Sequence, residues 1–540
     1  MVDAKADTAI VNTSAAVARR APVVGSPAVV ILLLLTVANA LNYLDRSILS
    51  ILAESIKKDL HVGDAQIGFL YGTVFAALYA IFGIATGRLA DRWRRLRLMG
   101  LGLGLWSGMT ALSAFAGSLA HLALARVGVS AGEAVANPAS HALIPDLFPR
   151  HRRATAFGVY LTGGVLGGGL ALMIGGAVVQ AWPHLAPRLG LAGLIRPWQA
   201  AFLLCGVPGL LVALLMFRLR EPLRGRFEVE PVRPDDGARS AWGAFFADVG
   251  VVLPPFSFVS IFRLSPPAGW INVAIAAGLA VVACGLTALT GDWAQWLALA
   301  IAGYAIASFA QSMAVRDRAF IDRTFRSPVF ICFAVGTAIA GCLNNAVQFW
   351  ATPYLLRTFH PAHGVGGVTM GVLLAVFGVV GLICGGALTD FLRRRDPRAA
   401  IWVLMAAILI PAPVAAVLFN TSDQRIFFAG FACFVMLQSM SQGGAAALVQ
   451  ELMASRMRAT GAATFAMLVM VSNFSLGPYL AGKISEASGS LRIGVLSLYA
   501  LAPVGVFFLL AAARRVGAAV ARSDAEATAR GLEGMDRVGG

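Results

Sequence analysis

The chain has few charged residues for its length. Of its 540 residues, 13% are charged and 58% are hydrophobic, whereas about 25% of the residues of a soluble domain are charged. This composition excludes a water-soluble globule and predicts a membrane protein.

Signatures of several other chemistries are also missing. The phosphate-binding loop of an ATP-driven pump, Gly-x-x-x-x-Gly-Lys-Ser/Thr, does not occur. The six cysteines lack Cys-x-x-Cys spacing, and His360 and His363 have no carboxylate beside them, so we predict no metal site and no cofactor. No cluster of nucleophile, base and metal ligands is visible in the sequence, and we therefore expect that the protein is not an enzyme.

The chain has a formal net charge of +16, which in a soluble protein would suggest a nucleic-acid partner. Here the arginines stand in short clusters between apolar runs, a pattern that orients a membrane protein. The richest clusters, at residues 88–97, 150–153, 393–398 and 456–458, fall on one predicted face, which we interpret as cytoplasmic. The sequence thus predicts a multi-pass protein of the inner membrane with both termini in the cytoplasm and no nucleic-acid partner.

Long apolar runs predict the number of membrane spans. Crossing about 30 Å of hydrocarbon takes about 20 helical residues, and such runs begin near residues 28, 66, 98, 121, 155 and 198, and again near 328, 365, 399, 426, 457 and 493. Two further runs, about 270–290 and 296–315, have tryptophans at their ends and predict an inserted transmembrane hairpin. We therefore predict an all-α membrane protein of 14 transmembrane helices, divided into a cytoplasmic tail (1–26), a six-helix bundle (27–220), a central linker with the hairpin (221–327), a second six-helix bundle (328–515) and a cytoplasmic tail (516–540).

The two predicted bundles repeat one another. The segment 87–95 is echoed by 386–394, an offset of 299 (386 − 87), and Arg-Ala-Thr at 153–155 recurs at 458–460, an offset of 305 (458 − 153). Two related bundles with pseudo-two-fold symmetry around a midplane site are the plan of a secondary transporter.

Four ionisable residues stand inside apolar runs. Asp45 and Arg46 lie in the first predicted span, while Arg126 and Glu133, seven residues apart (133 − 126), share one face of the fourth. Charges at bilayer depth are costly and should face the bundle interior. A buried carboxylate near a movable guanidinium can exchange protons as its surroundings rearrange, so we predict Asp45 and Glu133 as proton-coupling residues and Arg46 and Arg126 as charge partners or head-group contacts. A static ion-pair network that only joins the two spans is the alternative.

The second half is polar where the first is charged. The repeat offsets place Asn344 opposite Asp45 (45 + 299) and Gln438 opposite Glu133 (133 + 305). We predict an asymmetric cavity whose polar lining consists of Asn42, Tyr43, Asn344, Asn345, Gln348, Gln438 and Gln442. The alternative role for the amides is hydrogen bonding between packed helices.

The loop after the second span combines a glycine, an aspartate and several arginines. Glycine permits close backbone approach, and the charged side chains can make and break ion pairs across the bundle interface. We predict a cytoplasmic gate formed by Gly87, Asp91, Arg92, Arg95, Asp390, Arg393 and Arg394. The alternative, that the arginines only follow the charge bias of cytoplasmic loops, best suits Arg88 and Arg97.

At these residues the chain resembles the major facilitator superfamily. The segment 87–95 resembles the family signature between helices two and three, and 386–394 resembles its equivalent in the second half. The resemblance implies a major facilitator fold of two bundles that alternate access by rocking.

Within that superfamily, residues 42–46, 126–134 and 146–153 resemble bacterial members of the Spinster family. That family includes lysophospholipid and sphingolipid carriers. The resemblance implies that Asp45 and Glu133 are the proton-responsive carboxylates and that Arg46 and Arg126 are their charge partners or contact a head group.

The sequence therefore predicts a monomeric, proton-coupled carrier, surrounded by membrane lipids, of an amphipathic, lipid-like or organic anionic solute. Two alternatives stay open. One is an organic-anion/proton symporter for small aromatic or sugar acids, and the other is a non-transporting membrane sensor.

Overall fold

The computed structural model describes residues 26–224 and 241–519, except 362, 397, 443–444, 446–447, 450–451, 454–456 and 518. Within these residues all regular secondary structure is helical. The first half contains α1 (Ser26–Leu60), α2 (Asp64–Gly68), α3 (Val74–Arg92), α4 (Arg95–Ser113), α5 (Leu119–Glu133), α6 (Ala136–Leu147), α7 (Arg150–Arg188) and α8 (Pro197–Arg218). A π-helical turn, Phe69–Thr73, joins α2 to α3 in one span.

The centre and the second half continue the helical chain. The central segment contains α9 (Ala241–Val252), α10 (Phe256–Leu264), α11 (Pro266–Thr290), α12 (Trp293–Arg316) and α13 (Arg318–Arg323). The second half contains α14 (Pro328–Phe359), α15 (His363–Arg393), α16 (Ala399–Leu409), α17 (Pro411–Asn420), α18 (Gln424–Ser439), α19 (Arg458–Ser488) and α20 (Leu491–Ser497). The last of these continues through a 3-10 turn, Leu498–Leu501, in a span that reaches Gly517.

Twelve helices of the described chain are long and apolar enough to cross a membrane, or up to thirteen if the bent pair α9–α10 is one span. The predicted all-α membrane fold is confirmed. Two predicted spans are outside the twelve. Helix α18 has only 16 residues, and α4 has two arginines, Arg95 and Arg97, in its first turn, which lower its mean hydropathy. The total of fourteen, the division into two bundles and the cytoplasmic side of the termini stay predictions, and residues 1–25 and 520–540 lie outside the described residues.

The central segment holds one helical pair that the sequence reading missed. Helices α9 and α10 meet at a bend of 92°. Pro254 and Pro255 stand at this bend, and because proline removes a backbone donor, residues 241–264 do not read as one apolar helix. Helices α11 and α12 occupy the place of the predicted hairpin.

Local signals explain where several helices begin and end. Ser118 caps α5 by accepting from the backbone N–H of His121, and Asp423 caps α18 by accepting from that of Arg425. Gly291 follows α11 and Gly489 follows α19, each with positive φ (81° and 68°). Glycine adopts this left-handed conformation without the steric cost of a Cβ atom.

Glycines on α7 allow two neighbours to pack closely on it. A Cβ atom on Gly167 would lie 2.0 Å from the carbonyl oxygen of Ala40 on α1, and one on Gly169 would lie 2.5 Å from that of Gly371 on α15. Side chains at these positions would force the helices apart. Helix α7 therefore holds α1 in a fixed place in the first half and also forms a seam with the second half.

Candidate functional site

The four predicted ionisable residues lie together inside the protein, on α1 and α5. The exposed fraction is 2% for Asp45, 8% for Arg46, 5% for Arg126 and 2% for Glu133. We refer to these four residues as the charge cluster. Their burial agrees with the expectation that intramembrane charges face the bundle interior.

The charge cluster contains one direct ion pair. Arg46 Nε donates to Glu133 Oε2 at 2.9 Å, which joins α1 to α5. Arg126 Nη1 donates to the backbone carbonyl oxygen of Asp45 at 2.8 Å. Arg126 thus binds the main chain at Asp45 rather than its carboxylate.

Several polar atoms of the cluster have no hydrogen-bond partner among the described residues. They are Asp45 Oδ1, Arg126 Nε and Nη2, and Glu133 Oε1. Leaving buried polar groups unsatisfied costs free energy, and for charged groups the cost is larger. The Arg126 guanidinium therefore has two donors available for another molecule.

Aromatic rings from both halves surround the Arg46 guanidinium. Its central carbon lies 3.8 Å from the ring centroid of Phe75 on α3 and 5.8 Å from that of Phe474 on α19. The rings of Phe75 and Phe474 are 5.7 Å apart. Cation–π contacts stabilise a desolvated guanidinium, so the cluster meets the second half through an aromatic surface.

The polar residues predicted on α14 and α18 make hydrogen bonds between helices. Gln438 Nε2 donates to Gln348 Oε1 at 3.0 Å, and Asn345 Nδ2 donates to Asn473 Oδ1 on α19. Asn344 is buried, whereas Gln442 is exposed. Of the predicted lining on α1, Asn42 is buried and Tyr43 is 39% exposed. The amide pairs have the geometry of the interhelical alternative, and a role in lining a cavity stays a prediction.

The predicted gate residues of the first half lie at the junction of α3 and α4. Arg95 Nη1 pairs with the carboxylate of Asp146 and donates to the carbonyl oxygen of Ala142 at 3.0 Å. Both acceptors belong to α6, so Arg95 joins two helices of the same half. A Cβ atom on Gly87 would lie 4.0 Å from that of Pro138, an ordinary contact.

Of the other predicted gate residues, Arg92 in the first half and Asp390, Arg393 and Arg394 in the second are exposed. The side chain of Asp91 lies outside the described part. The gate therefore stays a prediction.

An ion cluster that the sequence reading missed joins the halves at the other end of the bundle. Arg357 on α14 donates to Asp64 through Nη1 at 2.9 Å and Nη2 at 2.6 Å, and through Nε to Glu54 at 2.8 Å. Lys57 also pairs with Asp64, and Ser485 on α19 donates to Asp64 Oδ2 at 2.9 Å. Two-pronged guanidinium–carboxylate pairs are strong and directional. Because these side chains stand at helix ends far apart in sequence, their spacing gave no signal.

Comparison with known families shows which family the chain belongs to. Residues 35–478 match the model of the Major Facilitator Superfamily. The match covers most of the sequence, and the chain belongs to this family of membrane transporters.

The described residues contain no group of three or more His, Cys, Asp or Glu side chains placed to hold a metal ion.

The relatives it matches include an efflux pump and transporters named for two different solutes. The chain is 27% identical to an MFS-type efflux pump of Mycolicibacterium smegmatis over 84% of this chain and 83% of that protein. It is 31% identical to a probable L-galactonate transporter of Escherichia coli over 35% of this chain and 39% of the relative. It is 32% identical to the sphingosine-1-phosphate transporter SPNS2 of Danio rerio over 29% of this chain and 33% of the relative.

A solved structure matches nearly the whole fold. The crystal structure of a bacterial homolog of the human lysosomal transporter Spinster, inward-facing and unoccupied, has a TM-score of 0.65 at 23% identity, covering 92% of this chain and 98% of that one. The resemblance to Spinster proteins predicted from the sequence is confirmed.

Proposed function

We propose that the chain is a proton-coupled secondary transporter of an amphipathic organic anion, in which Asp45 and Glu133 exchange protons and Arg126 binds the anionic head group. The observation that supports this most is the set of unpartnered atoms in the charge cluster. Arg126 has two buried nitrogens without a partner, next to a carboxylate oxygen of Asp45 that also has none. An anionic group that accepts from Arg126 would satisfy donors whose burial is otherwise costly.

The charge of the cluster suggests how an anion and a proton are coupled. With both carboxylates ionised, two arginines balance two acids and the cluster is neutral. Binding one anion would leave a net negative charge at a site sealed from water. This charge favours the uptake of a proton by one of the acids, and by linkage a bound proton favours the anion equally. An anionic solute would therefore move together with protons.

The two acids take different parts in this proposal. Glu133 is paired with Arg46 through Oε2, whereas Arg126 bonds the backbone of Asp45 and not its carboxylate. We assign the first proton to Asp45. Protonation of Glu133 would then release Arg46, which lies against Phe474 of the second half, and would link proton binding to the contact between the halves.

Two sizes of solute fit this chemistry. A lysolipid-like anion is favoured by the aromatic rings around Arg46 and by the relative that transports sphingosine-1-phosphate. A small sugar acid is favoured by the relative named as an L-galactonate transporter and by the two arginines of the cluster. The shared feature is an anionic group, and the bacterial relatives support a place in the inner membrane.

The test is transport in liposomes that contain the purified protein and an imposed pH gradient. Lysophosphatidylglycerol and L-galactonate serve as the two probes, compared between the parent, Asp45→Asn and Glu133→Gln. Asp322→Asn is the control, since that carboxylate is exposed on α13. We expect one probe to accumulate against its gradient in the parent and the control but not in the two cluster variants.

Two results would overturn the proposal. Equal uphill accumulation in Asp45→Asn and Glu133→Gln would show that these acids do not couple protons to transport. Saturable binding of a probe without flux in sealed vesicles would favour a membrane sensor instead.

A further inference from the structure

Buried hydrogen bonds join helices of the central segment. We call residues 241–316, which comprise α9 to α12, the insert. A buried hydrogen-bond network joins α10, α11 and α12. Ser257 and Tyr304 share a hydrogen bond of 2.6 Å, and Asn272 Nδ2 donates to Ser308 Oγ at 2.7 Å. Tyr304 also donates to Asn272 Oδ1. Polar groups satisfied inside a membrane protein fix the packing of the helices that carry them.

The insert packs on α3 along much of that helix. Arg88 Nη1 pairs with Asp248 Oδ1 at 2.6 Å, and the ring of Phe82 stacks on that of Phe245 with centroids 6.4 Å apart. Further along α3, alanines pack in one apolar cluster with three residues of α12, which are Ala302, Ala305 and Phe309. One ion pair, one pair of stacked rings and several apolar side chains thus bind the insert to the first half.

The polar contacts of the insert with the second half are concentrated at one end of α19. Lys483 Nζ pairs with Asp292 Oδ2 at 2.6 Å, and Tyr479 OH donates to the same oxygen at 2.9 Å. One turn deeper, Gln295 contacts both Thr73 of the first half, at 2.6 Å, and Ser475 of the second, at 3.4 Å. Met467 and Val471 add apolar contacts to the cluster around α3.

These contacts place the insert over the seam between the two halves. At this seam, the carbonyl oxygen of Pro478 would lie 2.6 Å from a Cβ on Gly68, and that of Phe474 would lie 1.6 Å from one on Gly72. Two rocking halves separate at this seam when the Asp64 end opens. An insert whose helices are joined by buried hydrogen bonds cannot then keep all its contacts with both halves.

We propose that the insert moves with the first half as a side wall, and that its contact with Lys483 and Tyr479 is a latch that opens when α2 and α19 separate. The packing along α3 is extensive and largely buried. In the latch, Tyr479 is also buried, at 1% exposed, but the side chains of the ion pair, Asp292 and Lys483, are 22% and 30% exposed. Partly exposed ion pairs contribute little stability and can be exchanged for water. The latch is therefore the contact that breaks when the halves separate, while the contact between the insert and α3 is kept.

This inference rests on the proposed function, because it requires the two halves of a secondary transporter to rock, but it does not depend on the solute or the protons. The experiment is a set of spin-label distance measurements in lipid nanodiscs, on chains whose six cysteines are replaced by serine. Labels at three exposed positions, His61, Leu289 and Ser488, report on the first half, the insert and α19. Each pair is measured across a pH titration in the parent and in Arg357→Gln, which removes the ion pairs that hold the Asp64 end closed.

We expect the 61–488 and 289–488 distances to lengthen together while the 61–289 distance stays unchanged. A 289–488 distance that stays fixed while 61–289 lengthens would mean that the insert moves with the second half. If the 61–488 distance stays the same at every pH in both the parent and Arg357→Gln, the seam does not open, and the proposal is also overturned.

A second comparison tests the latch itself. Lys483→Gln removes the ion pair with Asp292, and Asp248→Asn removes a comparable pair within the first-half contact. We expect Lys483→Gln to raise the fraction of long 61–488 distances and Asp248→Asn to leave it unchanged. An unchanged distribution in Lys483→Gln would contradict the latch.

Discussion

Arg126 donates to the backbone carbonyl oxygen of Asp45 at 2.8 Å and leaves its Nε and Nη2 without a partner among the described residues. This contact fixes the guanidinium beside the carboxylate without neutralising it directly. An arginine held in this way presents a planar pair of donors, the geometry that a carboxylate or phosphate accepts in two-pronged fashion.

The first prediction concerns Arg126. Lysine keeps the charge but loses the planar fork, so Arg126→Lys should weaken binding of the transported anion by about 10- to 100-fold, equivalent to about 1.5–3 kcal/mol for hydrogen bonds to a charged group. The measurement is the concentration dependence of transport or of direct binding. An affinity equal to that of the parent would remove Arg126 from the binding site.

The second prediction concerns the ion pair between Arg46 and Glu133. Glu133→Gln leaves a buried guanidinium without its counter-charge, which should lower the free energy of unfolding by about 3–5 kcal/mol. The double variant, with Arg46→Met and Glu133→Gln together, removes both charges. It should recover much of the lost stability, but it should not restore coupled transport. Thermal unfolding in detergent measures the first effect and liposome flux the second.

Recovery of coupled transport in the double variant would contradict a role in proton exchange. It would instead support the static ion-pair alternative, in which the pair only joins α1 to α5.

The third prediction concerns the ion cluster around Asp64. Arg357→Gln removes the contacts that join α14 to α1 and α2, so the Asp64 end should open more often. Ser50 is 5% exposed, and its hydroxyl donates a hydrogen bond to the carbonyl oxygen of Phe349. A reporter cysteine introduced by Ser50→Cys should then react faster with a membrane-impermeant thiol reagent.

The matched control for this labelling is Lys58→Gln, which removes an exposed charge next to Lys57. The control should label at the rate of the parent. If Arg357→Gln also labels at that rate, the ion cluster does not hold this end closed.

The fourth prediction concerns the glycines of α7. A Cβ atom on Gly167 would lie 2.0 Å from the Ala40 carbonyl oxygen, whereas one on Gly158 would have nothing within 4 Å. Gly167→Ala should therefore lower the unfolding temperature clearly. Gly158→Ala should leave it unchanged or raise it, because alanine favours a helix by about 1 kcal/mol over glycine. Equal unfolding temperatures would mean that α1 and α7 can move apart at little cost.

The sequence predicted the parts of this protein that depend on local pattern. Apolar run length predicted where most spans begin, and the repeat offsets indicated two related halves. Charge at bilayer depth singled out Asp45, Arg46, Arg126 and Glu133, because a charge is costly in an apolar run. The structure buries all four, and their roles stay a prediction.

Features made by distant contacts were not predictable in the same way. Arg357 looked like a scattered loop charge, and its partners Asp64 and Glu54 stand about 300 residues earlier (357 − 54 = 303). Prolines interrupt the apolar run at the bend between α9 and α10, so this pair was not predicted as a span. The hydrogen-bond network of the insert was not predicted either, because it joins polar side chains on different helices. Sequence spacing shows which residues share a helix face, but not which helices meet.

The most direct test of the central claim is to count protons as the anion moves. Liposomes that contain the protein are given an inward gradient of lysophosphatidylglycerol or L-galactonate with no initial pH difference, and the internal pH is followed with a trapped dye. The parent should acidify the interior as the transported anion enters, whereas Asp45→Asn should admit the anion with little or no change in pH. Acidification by Asp45→Asn equal to that of the parent, or alkalinisation by the parent, would contradict proton coupling through Asp45.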